Sequence, residues 1–286
     1  MEPGDLSAEA PPVRRSPKGE GGRAKAEHDP RITVIQQELF NEKRSKGDKY
    51  RELFVGQPGV WPLLKYEAAM LLASWVPGAL GLVLRTRLYP MILGSVGRNV
   101  VFGVSVTLRH PHKIHIGDNV VIDDLCCLDA KGTDNRGITI GNGVFVGRNT
   151  ILSCKNGDIV IEDRANIGFN CEIFSASRVR VGKDILIAAY TYLVGGDHLY
   201  DRIDIPVLQQ GRTARGIDVG DGTWLGTHVV VTDGSTIGRD AIVGAGAVVV
   251  GDIPEFSIAT GIPAKVTRNR RDPIVPPDPR SLIPDP

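Results

Sequence analysis

Apolar residues, all of them aliphatic except Phe102, recur at every sixth position over most of this chain, and that period limits the fold more than any other feature. The first three stand at Val96, Phe102 and Leu108, and the spacing resumes at Ile116 after a short interruption. A helix repeats its apolar residues about every 3.6 positions and a half-buried strand about every two, so neither explains the period. Seven triplets follow the rule, and their members are Val96, Phe102, Leu108; Ile116, Ile122, Leu128; Ile140, Val146, Leu152; Ile161, Ile167, Ile173; Val181, Ile187, Leu193; Val219, Leu225, Val231; and Ile237, Val243, Val249.

A triangular prism explains this period, because each triplet then forms one coil of three short strands with its aliphatic residues pointing inward. Glycine follows many of the inward residues, as at Gly97, Gly117 and Gly141, and its lack of a Cβ suits tight corners. Stacked coils pair their strands in parallel and share one continuous core. Aromatic residues make up only 6% of the chain, against 34 glycines, which fits a core of small branched side chains. The sequence therefore predicts an all-β fold, a parallel β-helix of about seven hexapeptide coils over residues 94–254.

The two ends of the chain differ in composition from the repeats. Residues 1–30 mix Pro, Gly and charge and contain no apolar run of the kind that a signal peptide has. We expect this segment to be a disordered tail, and residues 272–286, which are rich in Pro, to be a second one. The four cysteines lie inside the repeats without a CxxC pair, which favours reduced thiols and a cytoplasmic location.

The segment before the repeats, residues 31–93, is predicted to be helical and contains an uncharged stretch, Ala68–Leu84. Its length is close to the shortest plausible membrane span of roughly 17 residues, but Pro77 and Gly78 interrupt it. We expect two short helices, at about 61–76 and 79–93. They either cap the end of the β-helix or lie peripherally in the interface of the inner membrane face, and the sequence leaves both alternatives open.

Two insertions break the six-residue count, at Lys131–Gly137 and Leu199–Arg215. Both must bulge outward from the prism as loops. Loops that project from a rigid scaffold often carry the chemistry of a protein, so the longer insertion and its flanks are the first place to look for function.

Motifs in the second half of the chain resemble a known family. They are AYTYLVGGDHLYD at 189–201, WLG at 224–226, GAGAVV at 244–249, DIP at 252–254 and GIPAKV at 261–266. Together with the repeat they resemble the hexapeptide-repeat acyltransferases, in particular the maltose, galactoside and colanic-acid biosynthesis O-acetyltransferases. The resemblance covers roughly residues 94–268. It implies a left-handed β-helix, an acetyl-CoA or other acyl-CoA donor, a sugar or polysaccharide-precursor acceptor, and a homotrimer with active sites between neighbours.

The resemblance implies that His198 is the catalytic general base. It matches the family's histidine just past the end of a coil, and its role would be to remove the proton of the acceptor hydroxyl. Imidazole is suited to accept and return a proton near neutral pH. Because a thioester is already activated, this chemistry needs no Ser or Cys nucleophile.

Four further positions match residues that meet coenzyme A in the family, and a fifth, Trp224, is a candidate. The backbone N–H of Thr227 is implied to stabilise the oxyanion that develops on the thioester carbonyl, and Ala245 to contact the pantetheine arm. Lys265 and Arg268 match basic residues that meet the nucleotide phosphates, a chemically sensible pairing. Trp224 is a candidate for the same region, although packing at a subunit contact explains it equally well. Residues 255–271 are thus interpreted as a C-terminal segment on the coenzyme A side.

This chain departs from the pattern at several positions. Gly168 and Ala176 stand where galactoside-type enzymes carry Asn and a substrate-contacting Asp, so a sugar clamp built on those side chains is absent. Asn170 is a candidate to replace the lost amide, or it satisfies the backbone at a coil corner. Val250 and Gly251 replace a Thr-Lys or similar pair on the donor side.

Two rival interpretations remain at this stage. A γ-type carbonic anhydrase shares the prism and holds zinc with three histidines, but the histidines between Arg109 and His115 lack that family's spacing, so no metal is expected. A non-catalytic prism used as a structural or membrane-docking subunit is the other alternative. A net charge of +1 gives no general attraction to nucleic acid, and none is expected as a partner.

Overall fold

A computed structural model describes residues 45–273 of the chain. The predicted tail at 1–30 and residues 31–44 of the predicted helical segment lie outside the described residues, as do all but the first two residues of the predicted tail at 272–286. The described part consists of a short helical segment followed by a long stack of β-coils.

Three parallel sheets form the sides of the prism. The first sheet contains β1 (Ser95–Val96), β4 (Ile114–Ile116), β7 (Ile138–Ile140), β10 (Asp158–Ile161), β13 (Arg178–Val181), β18 (Ile217–Val219) and β21 (Thr236–Ile237). The second contains β2 (Val101–Phe102), β5 (Val121–Ile122), β8 (Phe145–Val146), β11 (Asn166–Ile167), β14 (Leu186–Ile187), β19 (Trp224–Leu225), β22 (Ile242–Val243), β24 (Ser257–Thr260) and β25 (Lys265–Asn269). The third contains β3 (Thr107–Arg109), β6 (Cys127–Asp129), β9 (Ile151–Cys154), β12 (Glu172–Ser175), β15 (Tyr192–Gly195), β20 (Val230–Val231) and β23 (Val248–Val249).

The core is the column of aliphatic residues that the six-residue period predicts. Every member of the seven triplets is buried except Val96, which is half-buried in the first coil. Members of successive coils face each other in register, as Ile167 does with Ile187 and then Ile187 with Leu225. The predicted parallel β-helix is therefore confirmed, with its coils where the period placed them.

An incomplete eighth coil follows the seven complete ones. Ile253 bridges to Ile237 on the first sheet, and β24 pairs in parallel with β22 on the second. The chain then turns back, and β25 runs antiparallel to β24. The second sheet is therefore longer than the other two, and its last strand belongs to the C-terminal segment.

The three corners of the prism differ from one another. The first corner joins the first sheet to the second, and the second corner joins the second sheet to the third. Most coils place one residue in the left-handed backbone region at each of them, for example Asp184 and Tyr190 in the fifth coil. The third corner, from the third sheet back to the first, is irregular. It holds a 3₁₀ turn at Pro111–Lys113 and both predicted insertions.

Three short helices precede the coils. They are α1 (Lys46–Tyr50), α2 (Val60–Ala69) and α3 (Gly78–Leu88). The first two continue as single π-helical turns, Arg51–Val55 and Met70–Ser74, and α3 continues as a 3₁₀ turn, Tyr89–Met91. The two helices expected at about 61–76 and 79–93 are confirmed, and Pro77 lies at the break between them.

The inner face of this helical segment closes the open end of the prism. Arg85 is buried and donates hydrogen bonds to the carbonyl oxygens of Phe102 (2.8 Å), Ala73 (3.0 Å) and Val76 (2.7 Å). Tyr66 donates from its hydroxyl to the carbonyl of Leu108 at 2.9 Å. The bonds to Phe102 and Leu108 join the helices to the first coil, and the two others hold the helices to each other. The segment, from here on called the cap, thus covers what would otherwise be exposed core.

The opposite side of the cap is covered by no other described residue. Large apolar side chains are exposed there; they are Val60, Trp61, Leu64, Leu71, Leu72, Trp75, Leu80, Leu82, Val83 and Met91, and together they are named the outer face of the cap. Within residues 45–273, no helix combines the length and the apolar character that crossing a bilayer requires. The two alternatives left open by the sequence therefore concern different sides of the same helices.

Candidate active site

The residues implied to meet the donor lie along the second corner. Thr227 follows β19 and occupies this corner in the sixth coil, and Ala245 occupies the same place in the seventh. The Thr227 hydroxyl donates to the Ala189 carbonyl at 2.8 Å, and the Thr227 carbonyl accepts from the Gly246 N–H at 2.9 Å. These bonds hold the corner of one coil against the corners of its neighbours.

The backbone N–H groups at this position take no part in the hydrogen-bond ladder between described coils. Those of Thr227 and Ala245 donate to no residue within 45–273. Close packing explains why the preceding residue is small, since a Cβ on Gly226 would lie 2.6 Å from the nitrogen of Ala245. The second corner therefore offers adjacent unused donors on a rigid edge, which an extended ligand can contact through main-chain bonds.

Lys265 continues this edge beyond Ala245. It begins β25 opposite Thr260, and the turn before it is attached to the third sheet by a bond from the Ala264 N–H to the Val248 carbonyl at 2.7 Å. Arg268 lies farther along β25, opposite Ile258. Both cations are exposed, and neither forms an ion pair with a described residue. Thr227, Ala245 and Lys265 thus follow one another along the second corner, with Arg268 to one side.

Trp224 lies on the outer surface of the second sheet. Its cross-strand neighbours are Leu186 and Ile242, and 48% of its surface is exposed. The outward residues of this sheet form a stripe in register that is apolar except at Asn166 in β11; its apolar members are Val101, Val121, Phe145, Leu186, Trp224, Ile242 and Ile258. On the first sheet the equivalent positions include charged residues such as Arg180 and Asp218, which are paired with each other at 2.9 Å.

His198 lies at the third corner, at the base of the longer insertion. It belongs to β16 (Asp197–His198), which pairs antiparallel with β17 (Arg212–Thr213) inside that insertion. Its backbone N–H donates to the Asp197 carboxylate at 2.7 Å. The Nδ1 atom is buried and has no hydrogen-bond partner among the described residues. The insertion that was expected to be a plain loop therefore begins as a short hairpin, and this hairpin fixes the backbone of His198.

The tip of the insertion is partly ordered by its own polar bonds. Gln210 donates to the carbonyls of Arg202 at 2.6 Å and of Ile205 at 3.0 Å. A 3₁₀ turn covers Val207–Gln209. The tip exposes large apolar side chains, among them Ile203 and Leu208. It therefore presents a defined surface with no apolar partner in the described part of the chain.

The implied base and the implied oxyanion donor are not brought together within one chain. β15 and β20 are neighbours in the third sheet, and His198 follows β15 whereas Thr227 precedes β20. Since the strands are parallel, His198 lies where the strands of that sheet end and Thr227 lies where they begin. One chain therefore carries the two halves of the candidate site on different corners.

Asn170 lies on the second corner, two coils before Thr227, in the left-handed region with φ 54°. Its Oδ1 accepts from Asn149 Nδ2 at 2.6 Å, and its N–H donates to the Arg148 carbonyl at 3.0 Å. Asn170 is thus hydrogen-bonded to the residues at the same corner of the preceding coil. Its role toward an acceptor stays a prediction.

An aromatic column on the same corner was not predicted. Tyr190 stacks on His228 with ring centroids 4.9 Å apart, and Phe169 meets Tyr190 edge to face at 5.7 Å. Arg148 lies over the Phe169 ring at 4.9 Å. The available signal was that the six-residue register places Tyr190 and His228 at the same corner position in successive coils.

The histidines between Arg109 and His115 serve the junction between cap and prism. His110 is buried, and its Nε2 lies 2.7 Å from the Glu52 carbonyl. Burial lowers the pKa of His110 to about 4, and that of His112 is lowered for the same reason. His115 Nδ1 lies 3.0 Å from the Ser95 hydroxyl. Among residues 45–273, no three His, Cys, Asp or Glu side chains are grouped so that they can hold a metal ion.

Comparison with known proteins finds similarity to acetyltransferases. The family model for the hexapeptide repeat of succinyl-transferase matches residues 158–193 and 216–250. The chain is 35% identical to a probable acetyltransferase of Mycobacterium tuberculosis, over 47% of this chain and 45% of that protein. It is 34% identical to the galactoside O-acetyltransferase of Escherichia coli, over 46% of this chain and 57% of that protein. A putative lipopolysaccharide biosynthesis O-acetyl transferase of E. coli is 29% identical, over 50% and 75%.

Solved structures are matched at lower identity. A galactoside acetyltransferase in complex with coenzyme A is 22% identical and covers 80% of this chain and 92% of its own, with a TM-score of 0.42. The N-acyltransferase AntD of Bacillus cereus, in complex with coenzyme A and a dTDP-sugar, is 18% identical over 70% and 92%, with a TM-score of 0.48.

The repeat model and the acetyltransferase relatives support membership of the hexapeptide-repeat acyltransferase superfamily, as the sequence motifs imply. The chain spans about half the length of the mycobacterial and galactoside relatives that it matches.

Proposed function

We propose that this protein is an acyl-CoA-dependent O-acyltransferase that transfers an acetyl group to a hydroxyl of a sugar or polysaccharide precursor. The observation that carries the proposal is the donor edge at the second corner. Unused backbone N–H groups at Thr227 and Ala245 lead there to the exposed, unpaired cation of Lys265. An extended thiol cofactor with phosphates at one end has the matching chemistry, since amides meet main-chain donors and phosphates meet Lys and Arg.

In this proposal the thioester carbonyl lies against the Thr227 N–H. A fixed backbone donor aimed at the carbonyl oxygen stabilises the negative charge that develops as the acceptor oxygen attacks. The Thr227 hydroxyl is already bonded to the Ala189 carbonyl, so the side chain holds the corner in place while the N–H remains available. The pantetheine arm then follows Ala245 toward Lys265 and Arg268.

His198 supplies the proton transfers. One ring nitrogen removes the proton of the acceptor hydroxyl as its oxygen attacks the thioester carbon, which forms the tetrahedral intermediate. The intermediate collapses by breaking the carbon–sulfur bond, and the imidazolium returns its proton to the leaving thiolate. The buried Nδ1 of His198 has no partner among the described residues, so in this proposal its partner comes from the acceptor or from a second chain.

The same geometry supports a homotrimer. Because the third-corner base and the second-corner donor edge lie apart in one chain, a complete site requires two chains that place unlike corners together. The apolar stripe on the second sheet and the exposed tip of the Leu199–Arg215 insertion are the surfaces available for that contact. In a closed ring of three chains, each chain makes this contact with both neighbours, and no contact surface is left exposed.

The acceptor class rests on the relatives. Two of them are named for acetyl transfer to a galactoside and in lipopolysaccharide biosynthesis, so a sugar hydroxyl is the proposed acceptor here. The site would work in the cytoplasm, on the inner face of the membrane. The clamp lost at Gly168 and Ala176 implies that other residues hold this acceptor, and Asn170 is one candidate.

Mass spectrometry of acyl-coenzyme A species tests the proposal. The purified protein is incubated with acetyl-CoA and a panel of sugars and sugar nucleotides, and donor loss and product mass are followed together. We expect acetyl-CoA to be consumed only with an acceptor whose mass increases by one acetyl group. A protein that retains coenzyme A but never consumes the thioester would instead be the non-catalytic prism.

A further inference from the structure

The outer face of the cap has the composition of a membrane-interface surface. Trp61 and Trp75 are 75% and 65% exposed, and Leu71 between them is 69% exposed. Trp75 donates its indole N–H to the Leu71 carbonyl at 2.6 Å, so its ring can enter an apolar layer without an unsatisfied donor. Tryptophan with leucine on one helical face is typical of helices that lie in the boundary between lipid headgroups and acyl chains.

The charges around this face have one prevailing sign. Between residues 60 and 91 the sequence contains a single acidic residue, Glu67, which accepts a hydrogen bond from the Tyr50 hydroxyl at 2.6 Å. Lys65 and Arg87 are exposed and form no ion pair with a described residue. An anionic lipid surface complements two free cations at the edge of an apolar face. A second copy of the chain would instead bring the same cations against each other.

A cleft opens on the same face. It has a volume of about 150 Å³ and is open to solvent, and its lining includes Gln57, Trp61, Pro62, Lys65, Met91 and Pro111. Two of these residues, Trp61 and Met91, belong to the outer face. The lining combines apolar side chains such as Met91 with the ammonium group of Lys65, which suits a short part of an acyl chain next to a headgroup phosphate.

We propose that the outer face of the cap docks on an anionic phospholipid bilayer. The apolar side chains enter the interface, Lys65 and Arg87 meet headgroup phosphates, and the cleft receives part of one lipid. The inner face keeps its bonds to the first coil through Arg85 and Tyr66, so docking needs no rearrangement of the cap. This proposal is independent of acyl transfer, and its test contains no donor.

Vesicle sedimentation of the full chain tests the proposal. Vesicles of phosphatidylcholine with phosphatidylglycerol at a ratio of seven to three are the probe, and pure phosphatidylcholine vesicles are the comparison. We expect Leu71→Asp with Leu72→Asp to lower the partition coefficient at least about tenfold, because two apolar side chains no longer leave water. Lys65→Glu with Arg87→Glu should lower it by about tenfold on the anionic vesicles only, and added salt should weaken wild-type binding.

Leu125→Asp is the matched control, because Leu125 on the second corner is 56% exposed and Leu72 is 54% exposed. It should bind as wild type does, and all variants should keep the wild-type melting temperature. Wild-type protein that stays in the supernatant overturns the proposal, as does a Leu71→Asp, Leu72→Asp variant that sediments normally. A third outcome also overturns the proposal. If wild type does not bind vesicles and the Leu71→Asp, Leu72→Asp variant has a lower mass in light scattering, the outer face contacts a second copy of the chain.

Discussion

At the residue scale, buried His110 links the stability of the protein to pH. Its burial lowers its pKa from 6.5 in the unfolded chain to about 4. Between these values the unfolded state binds the proton and the folded state does not, so the free energy of unfolding falls as pH decreases from 6.5 toward 4. The full loss is on the order of 3 kcal/mol, and His112, whose pKa is shifted in the same direction, adds to it.

Urea unfolding at pH 7, 5.5 and 4.5 measures this loss. His110→Asn tolerates the left-handed backbone of that position, where φ is 50°, and removes the titrating group. The variant should be less stable at pH 7, because the contact with the Glu52 carbonyl is lost, but its stability should depend less on pH. An unchanged pH slope would mean that His110 is not the group responsible.

Also at the residue scale, Lys265 and Arg268 are predicted to bind the donor phosphates. Lys265→Ala and Arg268→Ala should each raise the KM for acetyl-CoA by roughly five- to a hundredfold, from about 1–3 kcal/mol for a charged hydrogen bond. The kcat should change less, since contacts remote from the reacting carbonyl persist in ground and transition states. Arg98→Ala is the control, because Arg98 is an exposed cation in the first coil, far from this edge. If both variants keep the wild-type KM, the phosphates bind elsewhere.

At the scale of elements, Arg85 joins the cap to the prism. Replacing it with Met leaves three buried or half-buried carbonyl oxygens without their donor. The expected cost is about 1–3 kcal/mol of unfolding free energy for each buried carbonyl that loses its donor, seen as a lower midpoint in urea. Arg87→Met is the matched control from the same helix, and because Arg87 is exposed its midpoint should hardly change. Equal effects of the two substitutions would contradict the role given to Arg85.

The coils could be predicted from the sequence because the six-residue spacing of large apolar residues identifies the inward positions directly. The eighth coil was missed because Ile253 is followed by Pro254 and because the inward residue of β24 is Ala259, which is too small to signal burial. The cap was predicted as two helices, but their packing was not, since the bonds of Arg85 join residues that no local pattern connects. The short hairpin at His198 was likewise hidden, because two-residue strands carry too little pattern.

The candidate site was predictable residue by residue but not as an arrangement. Family motifs point to His198, Thr227 and Ala245 individually. Only the parallel pairing of β15 with β20 in the third sheet shows that His198 and Thr227 lie at opposite ends of these strands. The Asn149–Asn170 bond also depends on which corner residues are stacked, which requires the register of successive coils.

At the scale of the whole molecule, the protein is predicted to be a homotrimer held partly by the second sheet. Leu186→Asp with Trp224→Asp places two charges in the apolar stripe and should reduce the mass in light scattering to that of a monomer. Leu72→Asp on the cap, at similar exposure, should leave the trimer intact. A wild-type monomer at micromolar concentration would contradict both the trimer and the shared site.

The most direct measurement of the central claim is the turnover of His198→Ala with acetyl-CoA and the true acceptor. General-base catalysis is typically worth about 10²–10⁴-fold, so the kcat should fall by that factor. The affinity for coenzyme A and the melting temperature should hardly change, because His198 lies outside the aliphatic core and at a different corner from the donor edge. Wild-type turnover in this variant would contradict the assignment of the base and with it the proposed reaction.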